Sequence, residues 1–426
     1  MKKRTYRGIW VKDICEEKLA EAVWGLRIVF GVDVAKDTCY GQFMTEERAA
    51  VLTIRWSAVR EVAEVVALLR RLPASRVEIV MEPSSTYQDP LRHAAEAAGI
   101  PVYRVGGKRS HDAAEVYDGV PSMHDGKAAY VVARLHLEGV SRRWEDKSHK
   151  ERELRAAVDL VGMYDQQERR LDNRLEALLG RHWPELTAVM NLGTKTVLTL
   201  LAACGGPEAV RQDPGTARKV MRQAGRSFLR QERIEEIIAS AQATVGVPML
   251  AEEQRTVQEL AQEALRCAAA ARVARRRVVQ LSRGNEIIER CAAVLGKISA
   301  AALFVTAGDP RNYPEATSYV KALGLNLKER SSGTHQGRLR ITKRGPSEAR
   351  RYLYLAALRL LPEKGGDPIV RAWYARKVQR DGGRHKMRAV VAVTRKLAAA
   401  MWHVAQGSPF DSSKLFDVRR LGIRAR

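Results

Sequence analysis

Cysteine is scarce in this sequence, and its arrangement excludes more than it permits. The five cysteines among 426 residues (Cys15, Cys39, Cys204, Cys267 and Cys291) are odd in number and far apart, and none forms a C-x-x-C pair. That spacing gives no support to a zinc site, a dithiol redox site or a disulfide framework, so the thiols read as reduced, buried side chains. No apolar run approaches the roughly 18–20 residues of a membrane span. The basic opening, MKKRTYRGIW, leads into VKDICEEKLAEAVW instead of an apolar segment, so no secretory signal is visible. There is no P-loop, no G-x-G-x-x-G stretch and no metal-ligand spacing among the histidines. The expectation is a soluble cytoplasmic protein with no membrane partner.

Acidic residues are the other shortage. Lysine and arginine outnumber aspartate and glutamate 73 to 49, a formal net charge of +24, while 45% hydrophobic content argues against a disordered basic tail. A folded polycation meets polyanions, with nucleic acid ahead of anionic membrane surface as the expected partner class. The length points to two or three domains.

Residues 1–26 read as a basic N-terminal extension. From 27 to 147 the pattern is mixed α/β. RIVFGVDVAKDTCYGQFMT reads as two strands and a turn, AAVLTIRWS as a third strand and AVREVAEVVALLRRL as a helix. RVEIVMEP reads as a buried strand, LRHAAEAAG as a helix closed by Gly99, PVYRV as a strand and DGKAAYVVARLHLEG as a helix. Residues 148–290 are helical and highly charged. Two long stretches there, ERELRAAVDLVGMYDQQERRLDNRLEALLG and EEQRTVQELAQEALRCAAAARVARRRVVQL, can pair as an antiparallel hairpin or a coiled coil, or stand as ordinary surface helices.

NLGTKTVLTLLAACGGP (191–207) aligns without a gap on VLGKISAAALFVTAGDP (294–310). Each reads as a glycine turn, a helix and a closing Gly/Pro turn. The reading is either helix-hairpin-helix units that offer N–H groups to phosphates, the first an inserted unit near 187–230, or hairpins that only pack on each other. Residues 291–407 form a helical C-terminal region, and 408–426 a short basic tail.

Three carboxylates stand at element ends in the α/β region: Asp33 on the first strand, Glu82 after RVEIVM, and Asp125 at the start of a helix. Converging carboxylates are what Mg2+ requires, and two ions about 3.5–4 Å apart could stabilise the attacking and leaving oxygens of phosphodiester chemistry. Each acid also has a simpler reading. Asp33 can pair with Lys36, Glu82 can end a surface strand, and Asp125 can cap its helix.

Ser331, Ser332 and Gly333 form a turn followed by Arg338, Arg340, Lys343 and Arg344, a cationic setting suited to an attacking serine oxygen on phosphate, or simply a turn before a phosphate-binding strip. Arg350 and Arg351 extend the basic run. Farther on, Trp373 and Tyr374 precede Arg384, His385, Lys386, Arg388, Arg395 and Lys396, a pattern that suits backbone tracking with base stacking, or a solvated helix face.

Four stretches in order, GVDVAKDT, MEPSSTY, SMHDGKAAYVVARLH and ALGLNLKERSSGTHQGRLRITKRGPSEARRYLYLAAL, resemble the DEDD transposases of the insertion sequence 110 family over about residues 27–405. The resemblance implies an α/β RNase H-like (RuvC-like) N-terminal domain, a helical coiled-coil linker and a mainly α-helical C-terminal transposase domain carrying the helix-hairpin-helix-like repeats. It implies Mg2+ at Asp33, Glu82 and Asp125, a covalent nucleophile at Ser332, and a composite site across protomers. It also implies donor and target DNA and a noncoding guide RNA as partners, and a homodimer assembling to a tetramer on DNA in a bacterial cytoplasm, nucleoid-associated when bound.

One position departs from the family pattern. The fourth acid, three residues after the third, is Ala128 here. Both carboxylates of that pattern would share one helical face, so the substitution removes a ligand unless Asp118, His124 or a water takes its place. The expected function is RNA-guided DNA strand cleavage and exchange. The alternatives are a catalytically impaired nucleic-acid-binding relative and, more weakly, a structure-specific nuclease that hydrolyses DNA without a serine link.

Overall fold

The computed structural model describes residues 6–83, 86–117, 119–120, 122, 124–145, 147–329, 332, 337 and 339–416. The chain divides into two compact units, residues 1–146 and 147–426.

The first unit carries β1 (Ile9–Trp10), α1 (Glu16–Val23), β2 (Arg27–Asp33), β3 (Thr38–Thr45), β4 (Ala50–Ser57), α2 (Val62–Arg71), β5 (Arg76–Met81), α3 (Asp89–Ala97), β6 (Val102–Arg104), α4 (Gly107–Ala113), α5 (Asp125–Leu137) and β7 (Arg142–Arg143). The strands form one mixed sheet in the order β1-β4-β3-β2-β5-β6-β7. β2, β3 and β4 are antiparallel, whereas β2 pairs in parallel with β5, and β5 with β6. This layout is consistent with an RNase H-like domain. Sequence periodicity reaches the longer elements but misses β1, α1, α4 and β7, which are too short or too polar to show a clear period.

Strand alternation divides the sheet into two faces. Ile28, Phe30, Val32, Ile79 and Met81 pack on one face with Val65 and Leu69 of α2 and Leu91 of α3. Val29, Val80 and Met44 pack on the other with Val131, Val132 and Leu135 of α5. Gly31 shares the α5 face, and a Cβ there would lie 2.3 Å from the Ala129 carbonyl oxygen and 2.7 Å from Ala133 Cβ. The missing side chain is therefore what lets α5 press onto β2. The far end of α5 is tied down by His136, whose Nε2 lies 3.3 Å from Glu78 Oε2. Glu78, 1% exposed, is also bridged by Arg27 at 2.6 Å and Arg76 at 2.7 Å. Burial would raise its carboxyl, yet Arg27 and then His136 hold it below the usual range.

The second unit is almost wholly helical: α6 (His149–His182), α7 (Pro184–Val189), α8 (Lys195–Cys204), α9 (Pro207–Gln212), α10 (Pro214–Gly225), α11 (Gln231–Gln242), α12 (Ala251–Leu281), α13 (Glu286–Leu295), α14 (Lys297–Ala307), α15 (Ala316–Ala322), the hairpin β8 (Leu327–Lys328) and β9 (Arg340–Ile341), then α16 (Ser347–Arg359), α17 (Pro368–Arg380) and α18 (Lys386–Ala405). A capping box starts α6: Ser148 Oγ accepts from Glu151 N–H, and Glu151 Oε2 accepts from Ser148 N–H. The two long charged helices pair antiparallel within the chain, held by Arg275–Asp165 at 2.6 Å, Gln167–Glu263 at 3.1 Å and Arg181–Glu253 at 3.3 Å.

This pair links two hydrophobic cores. Leu175 and Leu179 of α6 with Val257 and Ala261 of α12 join the core built by α7–α11. Leu154 and Val158 of α6 with Ala274 and Val278 of α12 join the core of α13–α18. The two aligned segments fall in different cores, Val197–Leu201 in the first and Ala300–Leu303 in the second, which corrects the reading of hairpins packed on each other. Their approaches differ too. Gly296 alone separates α13 from α14, whereas residues 190–194 separate α7 from α8.

Candidate active site

Asp33 is the last residue of β2 and pairs with Tyr40 of β3. It has the parity of Val29 and Gly31, which places it on the α5 face. Glu82 directly follows β5 and shares the parity of Glu78 and Val80 on that face. Asp125 is the first residue of α5, one turn before Ala129, the residue pressed against Gly31. The helix runs back along β2, with Asp125 at the Asp33 end and His136 beside Glu78. Three carboxylates far apart in the chain are thus placed toward one end of the sheet.

Their shared neighbourhood bears on the acidity of one of them. Burial first, then the charges of Asp125 and Glu82, pushes Asp33 up to about 6. Among the described residues no three His, Cys, Asp or Glu side chains already form a group that could hold a metal ion. The arrangement is a shared electrostatic neighbourhood, and its all-oxygen donor set suits a hard divalent cation.

The expected cap is corrected here. Asp125 occupies the first helical position, and His124 is the N-cap, its imidazole Nδ1 accepting from Lys127 N–H at 3.3 Å. The ring of His124 also packs 5.3 Å from that of Tyr6. Asp125 keeps its exposed side chain at the positive end of the helix dipole. Lys127, 1% exposed, points inward and donates from Nζ to the carbonyl oxygens of Val120 (2.6 Å) and Ser122 (3.0 Å), pinning the segment that leads into α5. Ala128 is half-buried one turn after Asp125. Of the proposed stand-ins for its missing carboxylate, Asp118 lies outside the described residues, and His124 already has Nδ1 engaged.

Sequence reasoning missed what orients Glu82. The buried Ser110 hydroxyl of α4 donates to Glu82 Oε2. A Cβ on Gly107, at the start of α4, would fall 2.2 Å from Glu82 Oε1, so a side chain there would push the carboxylate out of its present place. The signal in the sequence is the Gly106-Gly107 pair, which opens a helix too short for periodicity to reveal.

In the second unit, Ser332 is exposed in the loop of the β8–β9 hairpin. Ser331, Gly333 and Arg338 lie outside the described residues. Arg340, Lys343 and Arg344 are exposed, as are Arg384, Lys386 and Arg388 around the start of α18. Arg350 and Arg351 differ, because the fold already occupies their donors. Arg350 donates to the carbonyls of Leu323 (3.0 Å) and Gly345 (2.8 Å), and Arg351 pairs with Asp165 of α6. Trp373 packs on Phe416 with ring centroids 4.6 Å apart and abuts the core, as Tyr374 also does, so these aromatics are not free stacking platforms.

Comparison with known proteins decides the family. Residues 30–184 match a model described as "Transposase", of the DEDD type of IS110, and residues 292–375 match one described as "Transposase IS116/IS110/IS902 family". The two together cover more than half of the chain. The chain belongs to the IS110 family of transposases. It is similar along nearly its full length to the insertion element IS110 uncharacterized 43.6 kDa protein of Streptomyces coelicolor, with 24% identity over 399 residues that span 91% of this chain and 96% of that protein. The first IS110 match begins within β2 and spans all three carboxylates, and the second spans Ser332. No helix among the described residues of this transposase is long and apolar enough to cross a membrane.

Proposed function

We propose that this IS110-family protein cleaves and exchanges DNA strands, with Asp33, Glu82 and Asp125 as ligands of Mg2+ and Ser332 as the nucleophile. The observation that carries the reading is the placement of the three carboxylates at one end of the α5 face, where burial first and then the charges of Asp125 and Glu82 raise Asp33. When bound, Mg2+ would supply charge stabilisation for the phosphoryl oxygens. Asp33 and Glu82 hold their places from the ends of adjacent parallel strands. Asp125 holds its place from a helix end that favours its charge. Ser110 fixes one Glu82 oxygen and leaves the other free to act.

At Ser332, the Oγ–phosphorus bond forms as the bond from phosphorus to the leaving deoxyribose oxygen breaks. The serine proton passes to solvent and the leaving oxygen gains one. Attack by a strand hydroxyl on the phosphoserine then releases the serine and joins the new strand. The exposed cations Arg340, Lys343 and Arg344 flank this loop and counter the phosphate charge. A guide RNA extends the proposal, supported by the family and by a net charge of +24 that suits a large nucleic-acid load.

A second reading, a nucleic-acid-binding relative with impaired chemistry, is favoured by Ala128 alone. The test compares strand exchange by the protein and by Ala128→Asp across a Mg2+ titration. The expected outcome is activity in both, with the half-saturating Mg2+ concentration lowered about tenfold or more in Ala128→Asp. An inactive parent rescued by Ala128→Asp would establish the impaired reading instead.

Ser110→Ala tests the orientation of Glu82. It is expected to raise the half-saturating Mg2+ concentration by about ten- to a hundredfold, with the rate recovering at high Mg2+ and Ser110→Thr restoring the parent behaviour. A lowered Tm with an unchanged Mg2+ profile would reduce Ser110 to packing.

A further inference from the structure

The core of α7–α11 lies between the two family-matched segments, which end at residue 184 and resume at 292. Its α10–α11 turn presents Phe228, 92% exposed and the most exposed large apolar side chain among the described residues. The turn is a built tip. Leu229 packs into the core beneath it. Arg218 of α10 bridges Glu235 of α11 at 2.8 Å, and Arg222 Nη2 donates to Gln231 Oε1 at 2.7 Å, so the two helices are clasped on either side. Arg226 turns the chain with a positive φ of 50°, uncommon for a residue with a side chain.

Charge identifies the occupant. From Arg218 to Arg230 the sequence carries five cations and no acid. Arg226 and Arg230, two residues to either side of Phe228, are exposed and have no ion-pair partner among the described residues. A protein-binding face would offer a contiguous apolar patch, whereas here one aromatic ring stands among arginines. A ring flanked by unpaired guanidinium groups is the pairing that holds a nucleic-acid strand, base on aromatic and phosphate on arginine. The base must be unpaired, because a duplex keeps its base faces stacked and charges an unstacking cost for access.

We propose that the Arg226–Arg230 tip is a binding site for an unpaired DNA strand, with a base stacked on Phe228 and flanking phosphates held by Arg226 and Arg230. The choice of DNA rests on the strand-exchange reading above, since cutting and exchange leave a strand unpaired. The site itself depends on neither Ser332 nor the carboxylates.

The test is anisotropy titration of the full chain with a labelled oligothymidylate, a duplex of the same length and an oligouridylate. Phe228→Ala is expected to weaken oligothymidylate binding by about five- to a hundredfold, with the salt slope unchanged and duplex binding altered less than about twofold. Phe228→Trp is expected to keep the affinity and to show fluorescence quenching on binding. The double variant Arg226→Gln, Arg230→Gln is expected to reduce the slope of log K against log salt by about 1.4, or 0.7 per cation on a single strand. The inference is overturned if Phe228→Ala is neutral, if it weakens duplex equally, if it changes the oligomeric state instead, or if oligouridylate binds the tip more tightly than oligothymidylate. A chain that binds no DNA in any arm sinks the strand-exchange reading as well, whereas normal binding with a neutral Phe228→Ala sinks the tip alone.

Discussion

Ser332→Ala is expected to eliminate a covalent protein–DNA adduct and to lower strand exchange by roughly ten-thousandfold or more, the scale on which loss of a nucleophile disables an enzyme. The side chain is exposed in the β8–β9 loop, so no core contact is lost and Tm is expected to stay within the small range of surface substitutions. That separation makes the experiment decisive. A denaturing gel of protein mixed with element-end DNA should show a retarded band for the parent and none for Ser332→Ala, while Ser331→Ala retains it. Cleavage without any adduct in both proteins would favour the hydrolytic nuclease. An adduct that persists in Ser332→Ala and vanishes in Ser331→Ala would transfer the role to the neighbouring serine.

Asp33→Asn is expected to produce the second large effect, with opposite signs on activity and on metal-free stability. Losing this ligand should cost roughly a hundredfold or more in rate, since small displacements of a reacting group cost that much. In chelator, however, the variant should be the more stable protein. Asp33 rises from an ordinary carboxyl value of 3.8 to about 6 in the fold. Between about pH 4 and pH 6 the native state therefore holds a proton that the unfolded state has released, and stability falls as pH climbs through that window.

Above about pH 6 the cost of the ionised, crowded carboxylate is complete. Discounted for the part of Asp33 that reaches solvent, it is about 1–2 kcal/mol. Asparagine removes that cost, so thermal melts at neutral pH should shift upward by a few degrees, and the decline between about pH 4 and 6 should flatten. Mg2+ should then stabilise the parent through binding to the native state and leave Asp33→Asn nearly unmoved. Equal melting shifts with Mg2+ in both proteins would remove Asp33 from the metal site.

Much of this site was legible because strand alternation is strict. Val29, Gly31 and Asp33 share one face by parity, as do Glu78, Val80 and Glu82, and a helix start at Asp125 follows from the Ala/Val-rich run behind it. The supports were less legible. Ser110 sits on a seven-residue helix with no useful period, and its bond to Glu82 spans 28 positions of sequence. The cap was misassigned because aspartate is the stronger capping residue on average, whereas here the imidazole of His124 reaches the Lys127 amide. Composition also overstated the nucleic-acid surface. An arginine facing solvent and one whose donors the fold already holds are identical in sequence, and Arg350, on the Leu323 carbonyl, and Arg351, on the Asp165 carboxylate, are of the second kind. The same holds for Trp373, whose ring the tail residue Phe416 covers.

The sequence by itself determined the charge, the succession of the longer strands and helices along the chain, the four motifs that carry the family, and the substitution at Ala128. These are local or compositional properties, set by side-chain type and by periods of two and 3.6 residues. Tertiary structure alone decided that Gly31 admits α5 closely enough to bring Asp125 to Asp33, that the aligned helical segments serve two separate cores, and which cations are free to meet a phosphate. Those outcomes depend on contacts between residues distant in the chain, where packing and burial, which no local pattern encodes, choose the partner.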